Sequence, residues 1–129
     1  MIYLDSSALV KLVHPELETR ALRSWLATRP GVSVSSALAV LEVTRALRRS
    51  DPAALPRVPD VLSRVMLVPV DQPVIVAAAA LTDPLLRSLD ALHLATALRL
   101  DTPSLVFVSY DKRLSAAAVQ ERLNVAVPV

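Results

Sequence analysis

Four carboxylates stand out for where they sit. Asp5 follows the short apolar run Ile2-Tyr3-Leu4 and is followed at once by Ser6-Ser7. Asp111 comes three residues after Val108, the end of a second apolar run. Asp90 falls in the first turn of a helical pattern, where an acid is ordinarily favoured by the helix dipole by a few tenths of a kcal/mol. Glu42 is placed differently, on a helical wheel close to Leu38, Ala39 and Ala46. A carboxylate on an apolar face is costly to bury without a partner. Arg45, three residues on, is one available partner, and a shared cation is the other. Brought to one place, four acids would raise each other's pKa by like-charge repulsion. A hard dication such as Mg2+, which takes oxygen ligands and keeps several waters, would resolve that repulsion. It would also polarise a phosphoryl oxygen and activate a bound water. Ser109, two before Asp111, and Ser6 add neutral oxygens, with helix capping as the competing role for Ser6. His93, three after Asp90, lies on nearly the same helix face. It is placed to contact a substrate, to orient Asp90, or simply to be a satisfied, partly buried histidine. His14, just before Pro15, reads as a helix-terminus residue.

The elements that must position these residues follow from periodicity and punctuation. Residues 1–5 read as a strand and 6–13 as a helix, with Ser6 or Ser7 as N-cap and Pro15 as its stop. Residues 16–28 read as a helix with Leu17, Ala21, Leu22, Trp25 and Leu26 on one face and Glu16 and Glu18 in the first turn. After the turn Arg29-Pro30-Gly31, residues 32–35 read as a strand. Residues 36–49 read as a helix whose apolar positions are Leu38, Leu41, Val43 and Leu47. Prolines 52, 56 and 59 break the next stretch, with a short helix beginning at Pro59. Residues 66–70 read as a strand, 74–81 as a helix entered through Asp71-Gln72-Pro73, and Asp83-Pro84 as a further cap and first-turn pair. A helix over 88–100, a strand over 105–108, a helix over 111–123 and a short strand over 125–127 complete the chain. Strands alternate with helices and no Asn-Gly hairpin signal occurs. The expected fold is therefore α/β, with a central parallel sheet of four to five strands, right-handed crossovers and helices on both faces. At 129 residues the chain is expected to be one domain, residues 1–129.

Composition narrows the chemistry. There is no cysteine, so thiolate catalysis, thiolate metal sites and disulfides are excluded, and a reducing cytoplasmic compartment fits. The single glycine, Gly31, excludes glycine-rich phosphate loops. The apolar start is interrupted by Asp5 and Lys11, so no signal peptide is expected, and the most apolar stretch contains Pro69, Asp71 and Pro73, so no membrane span is expected. With four acids gathered in a pocket, the remaining surface is mildly basic, with Arg45, Arg48 and Arg49 clustered and Lys112 beside Arg113. An acidic pit in a basic surround suits a polyanionic substrate that needs a metal.

Asp5-Ser6-Ser7-Ala8-Leu9-Val10-Lys11-Leu12, Glu42 within a helix, the block from Leu86 to Ala97 that contains Leu89-Asp90-Ala91-Leu92-His93-Leu94-Ala95-Thr96-Ala97, and Ser109-Tyr110-Asp111-Lys112-Arg113-Leu114 together resemble the PIN-domain ribonucleases. Among these, the pattern is similar to the VapC-type toxins of bacterial toxin–antitoxin pairs. The resemblance spans essentially the whole chain, and the block around Asp90 is its most specific part. That family usually carries threonine after its first aspartate and often two before its last. Serine stands at both positions here and keeps the hydroxyl. The resemblance implies a three-layer α/β/α fold and a pocket of Asp5, Glu42, Asp90 and Asp111 supported by Ser109. It makes Asp5 and Asp90 the direct ligands of Mg2+ or Mn2+. It further implies cleavage of single-stranded or looped RNA, commonly tRNA or ribosomal RNA, with arrest of translation, a homodimer, and a small cognate antitoxin that covers a groove and the site. For such a reaction Arg45, Arg87, Lys112 and Arg113 are candidates to hold flanking phosphates. Aromatic content is 3%, which argues for recognition of RNA shape or a short loop over extensive base stacking. Two other readings compete. A small phosphatase would use Asp5 as nucleophile, yet the haloacid type wants a second aspartate where Ser7 stands. A non-catalytic antitoxin- or RNA-binding module would keep the fold without the chemistry, but all four acids are present.

Overall fold

The computed structural model describes residues 1–129. In chain order the elements are β1 (Ile2–Leu4), α1 (Ser6–Val13), α2 (Thr19–Ala27), β2 (Ser33–Ser36), α3 (Leu38–Ser50), a 3₁₀ segment (Pro52–Arg57), α4 (Val58–Leu62), β3 (Met66–Val68), α5 (Gln72–Ala80), α6 (Ser88–Arg99), β4 (Val106–Val108), α7 (Lys112–Gln120) and β5 (Asn124–Ala126). The five strands form one sheet in the order β3-β2-β1-β4-β5. Every neighbouring pair is parallel, with Tyr3 opposite Val34 on one side and Phe107 on the other. The expected α/β architecture is therefore present. The chain winds outward from β1 through β2 to β3, then returns to lay β4 on the far side of β1. The strand order thus reverses between β1 and β4, and the crevice at the carboxyl ends of these two strands is where such sheets place their sites.

Alternation along β1 splits its side chains between the two faces. Ile2 and Leu4 pack with Leu9, Val13, Leu22, Val43 and Leu47 from α1, α2 and α3. Tyr3 packs with Val34, Leu94, Phe107 and Leu114 on the side of α6 and α7. Tyr3 and Phe107, paired in register, stack with ring centroids 5.1 Å apart. The helix α5 is apolar almost throughout and packs against α6, leaving Ile75 and Val76 exposed.

Several local expectations are corrected. The N-cap of α1 is Asp5, not Ser6 or Ser7, because its carboxylate accepts the Ala8 amide. The second helix starts at Thr19, so Glu16 and Glu18 precede it. Both are drawn to the buried Lys11, whose Nζ lies 2.8 Å from Glu16 and 2.9 Å from Glu18. Leu17, expected on the buried face, is 93% exposed as a consequence. Ser36 belongs to β2, and its Oγ accepts the Leu38 amide at the start of α3. The buried side of α3 is Ala39, Val43 and Leu47, while Leu41 is 61% exposed. Asp83-Pro84 starts no helix; Asp83 instead accepts the Leu85 amide in a turn. The last helix ends at Gln120, followed by Arg122 in the left-handed region at φ 65°. The prolines at 52 and 56 give a 3₁₀ segment, and the short helix expected from Pro59 is present as α4. No helix is long and apolar enough to cross a membrane.

Leu9 is fully buried beneath the site-bearing end of β1. Leu9→Ala is expected to lower the unfolding free energy by about 2–5 kcal/mol in urea denaturation, with little change in the slope against urea.

Candidate active site

Asp5 is 3% exposed at the end of β1, and both its oxygens are engaged. Oδ1 accepts the Ser7 hydroxyl at 2.6 Å and the Ala8 amide at 2.9 Å. Oδ2 accepts the Ser109 hydroxyl at 2.5 Å. Burial raises the Asp5 pKa; these hydrogen bonds pull it back, yet it stays above the usual carboxylate range. The donors are themselves tied to the neighbouring loop. Ser7 Oγ accepts the Tyr110 amide at 2.9 Å, and Ser109 Oγ accepts the Asp111 amide at 3.1 Å. Ser109, expected as a supporting hydroxyl, therefore contacts Asp5 directly.

Glu42 projects from α3 to the same edge. Its Oε1 accepts the Ser6 hydroxyl at 2.6 Å and lies 2.6 Å from His93 Nε2, while no protein group bonds Oε2. Burial alone would raise its pKa, but the bonds from His93 and Ser6 outweigh that and hold it below the ordinary range. Arg45, the sequence-nearest candidate partner, makes no ion pair with it; the partner is His93, 51 residues away. His93 is accordingly neither bonded to Asp90 nor open to substrate, but 1% exposed and bonded on both ring nitrogens. His14, expected only to favour a helix terminus, bonds Asp51 at 2.7 Å.

Asp111 is the N-cap of α7. Its Oδ1 accepts the Arg113 and Leu114 amides at 2.9 and 3.0 Å. Asp90, in the first turn of α6, has no hydrogen-bonding partner for its side chain. Partial burial raises its pKa, and the charges of Asp111, Glu42 and Asp5 raise it further. The charges of the other three acids thus converge on Asp90.

Basic residues flank them in two clefts. Arg45 and Arg49 line one with Ser6, Ser7, Val10 and Glu42. Arg87, Lys112 and Arg113 line the other with Asp90, Tyr110 and Asp111. None of these five cations is within ion-pair distance of an acid.

No three histidine or acidic side chains are gathered tightly enough to form a ready-made metal cage. The donor set nevertheless fits a hard dication in kind. It consists of carboxylate and hydroxyl oxygens, and the repulsion that lifts Asp90 is what a cation would relieve. Two contributors escaped the sequence reading. Ser7 carries the link from Asp5 to Tyr110, and its position two residues after an aspartate was the available signal. Tyr3 bonds His93 from within the sheet, and nothing in its local sequence marks it.

The model of the PIN domain matches residues 2–120. The chain belongs to the PIN-domain family. Within that family it groups with the VapC ribonucleases: it is 45% identical to Ribonuclease VapC35 of Mycobacterium tuberculosis over 131 residues, covering 99% of this chain and 97% of that one. Among solved structures it superposes on a toxin–antitoxin complex from Klebsiella pneumoniae with TM-score 0.76 at 20% identity, over 100% of this chain and 98% of that one. It also superposes on VapC20 of Mycobacterium tuberculosis, described as a sarcin-ricin loop cleaving toxin, with TM-score 0.76 at 18% identity, over 91% and 95% of the two chains.

The raised Asp90 pKa has a consequence for stability. A folded-state pKa above the unfolded one means ionisation opposes folding, so the penalty is absent below the unfolded pKa and grows as pH rises through the folded one. In chelator, Asp90→Asn is expected to melt higher than the unmodified protein at pH 7. The difference should shrink as pH falls toward the ordinary aspartate value of 3.8. Thermal melts across pH check this.

Proposed function

We propose that this chain is a metal-dependent endoribonuclease, the toxin of a toxin–antitoxin pair, acting on structured or single-stranded RNA such as tRNA or ribosomal RNA and so inhibiting translation. The observation that carries the reading is Asp90: a partly buried carboxylate with no side-chain partner, repelled by Asp111, Glu42 and Asp5 at the switch point of a parallel sheet. Asp5 and Asp90 would hold Mg2+, with Mn2+ as substitute. When bound, such a cation supplies Lewis-acid polarisation of the phosphodiester and a more acidic water.

The remaining work falls to the protein. Glu42, ionised and with Oε2 unengaged, accepts a proton from the attacking water. Asp111 closes the pocket from the start of α7. Arg45 on one side and Arg87, Lys112 and Arg113 on the other hold phosphates flanking the scissile one, which fixes the strand across the acids. Few aromatics are available for stacking, which favours recognition by shape or by a short loop. The description of VapC20 as a sarcin-ricin loop cleaving toxin agrees with a structured target.

The same reading takes residues 1–129 as one PIN-like domain in the cytoplasm. A small antitoxin is its partner, in keeping with the complex from Klebsiella pneumoniae. A homodimer is expected, and the exposed Ile75 and Val76 of α5 offer an apolar face for pairing. A phosphatase using Asp5 as nucleophile fits less well, because the second aspartate it wants is absent and Ser7, standing in that place, donates to Asp5.

The test is to purify the chain free of antitoxin and incubate it with total RNA with and without Mg2+. Cleavage is expected only with the metal. Asp5→Ala and Asp90→Ala are each expected to reduce the rate about 100-fold or more. Cleavage without a divalent ion, no cleavage with one, or unchanged rates in both variants would contradict the proposal.

A further inference from the structure

His93, 1% exposed, is a buried titratable group at the site that the reaction above does not use. Its ring joins three elements. Tyr3 Oη from β1 lies 2.8 Å from Nδ1. Glu42 Oε1 from α3 lies 2.6 Å from Nε2, and Ser6 Oγ from α1 lies 3.1 Å from the same nitrogen. The helices it connects, α3 and α6, contribute to the cores on opposite faces of the sheet.

The chemistry of the partners fixes the direction of these bonds. A carboxylate is an acceptor only, so Nε2 must carry a proton toward Glu42. The Tyr3 phenol is fully buried 2.8 Å from Nδ1, and its O–H is a donor that needs an acceptor there. With Nε2 protonated, a neutral ring presents Nδ1 as acceptor to that phenol. The chain then runs in one sense, from Tyr3 O–H to Nδ1 and from Nε2–H to Glu42. Ser6 donates to the same Glu42 oxygen at 2.6 Å. Both donors converge on Oε1, and Oε2 is left for the pocket.

We propose that His93 is a positioning residue for the reaction, held between Tyr3 and Glu42 in the Nε2–H tautomer so that it pins one oxygen of Glu42 and presents the other to the attacking water. The inference rests on the ribonuclease reading for its kinetic consequence, but the tautomer stands apart from it. A second-layer bond of this kind orients its carboxylate and typically changes activity 10–100-fold when lost. A histidine buried for packing alone would need neither a fixed tautomer nor the distant phenol.

The chain has only two histidines, His14 and His93, so ring nitrogens can be assigned by ¹⁵N NMR with His14→Gln removing the other signal set. The variants are Tyr3→Phe, which keeps the ring stacked on Phe107 and deletes only the hydroxyl, His93→Leu, and His93→Gln, which retains an N–H for Glu42. The expected result is a proton on Nε2 and none on Nδ1 at neutral pH, with the Nδ1 resonance displaced in Tyr3→Phe, where that nitrogen has lost its donor. Tyr3→Phe and His93→Leu should each lower kcat about tenfold with KM for RNA unchanged, and His93→Gln should recover most of the loss. A proton on Nδ1 in the unmodified protein, or unchanged kcat in both Tyr3→Phe and His93→Leu, would overturn the proposal. If the unmodified protein cleaves no RNA, the ribonuclease reading fails, while the tautomer still decides the relay.

Discussion

Everything at the carboxyl edge of the sheet depends on keeping the Asp5 carboxylate out of water. The group is buried, and an isolated buried charge is untenable. Three donors make it tenable: the Ala8 amide, the Ser7 hydroxyl and the Ser109 hydroxyl. Each belongs to a different structural commitment. The Ala8 amide is available because α1 begins at Ser6, which makes Asp5 its N-cap. Ser7 also accepts the Tyr110 amide, tying α1 to the loop after β4. Ser109 is in reach because β4 pairs directly with β1, which requires the strand order to reverse there. A single carboxylate therefore holds β1, α1 and the start of α7 to one geometry.

The other three acids differ in how completely the protein satisfies them. Asp111 is engaged by two amides of α7, and Glu42 by Ser6 and His93. Asp90 has no such help and sits in the field of the other three. Local hydrogen bonding thus concentrates the uncompensated repulsion on one residue of the four. A stabilised fold would not keep such an arrangement, and its retention is the kind of local cost that functional sites carry. The five unpaired cations in the two flanking clefts give the complementary field for a polyanion crossing that point.

Much of this was legible in the sequence because it is local. The boundary of β1 at Asp5, the helix over Ser6–Val13, the prolines that break the chain after α3 and the parallel α/β pattern follow from residue order alone. The family resemblance, carried by the block around Asp90, agrees with the match over residues 2–120. What stayed hidden depends on residues far apart in the chain. Glu42 was identifiable as a carboxylate in need of a partner, but Arg45 was the nearest choice and His93 the actual one, because the fold brings a side chain of α6 to one of α3 across 51 residues of sequence. Leu17 and Leu41 fit apolar helical faces, yet periodicity cannot say which face will be covered, and both are exposed. The delayed start of α2 follows from Lys11 drawing in Glu16 and Glu18, an ion-pair geometry that propensity does not encode.

The proposed chemistry turns on Asp5 and Asp90 together holding a divalent cation. Calorimetric titration of the antitoxin-free protein with Mg2+, alongside Asp5→Asn and Asp90→Asn, addresses it without reference to any substrate. Saturable binding is expected in the unmodified protein, and its loss in both variants. Undetectable binding at millimolar Mg2+, or binding that survives both substitutions, would contradict it.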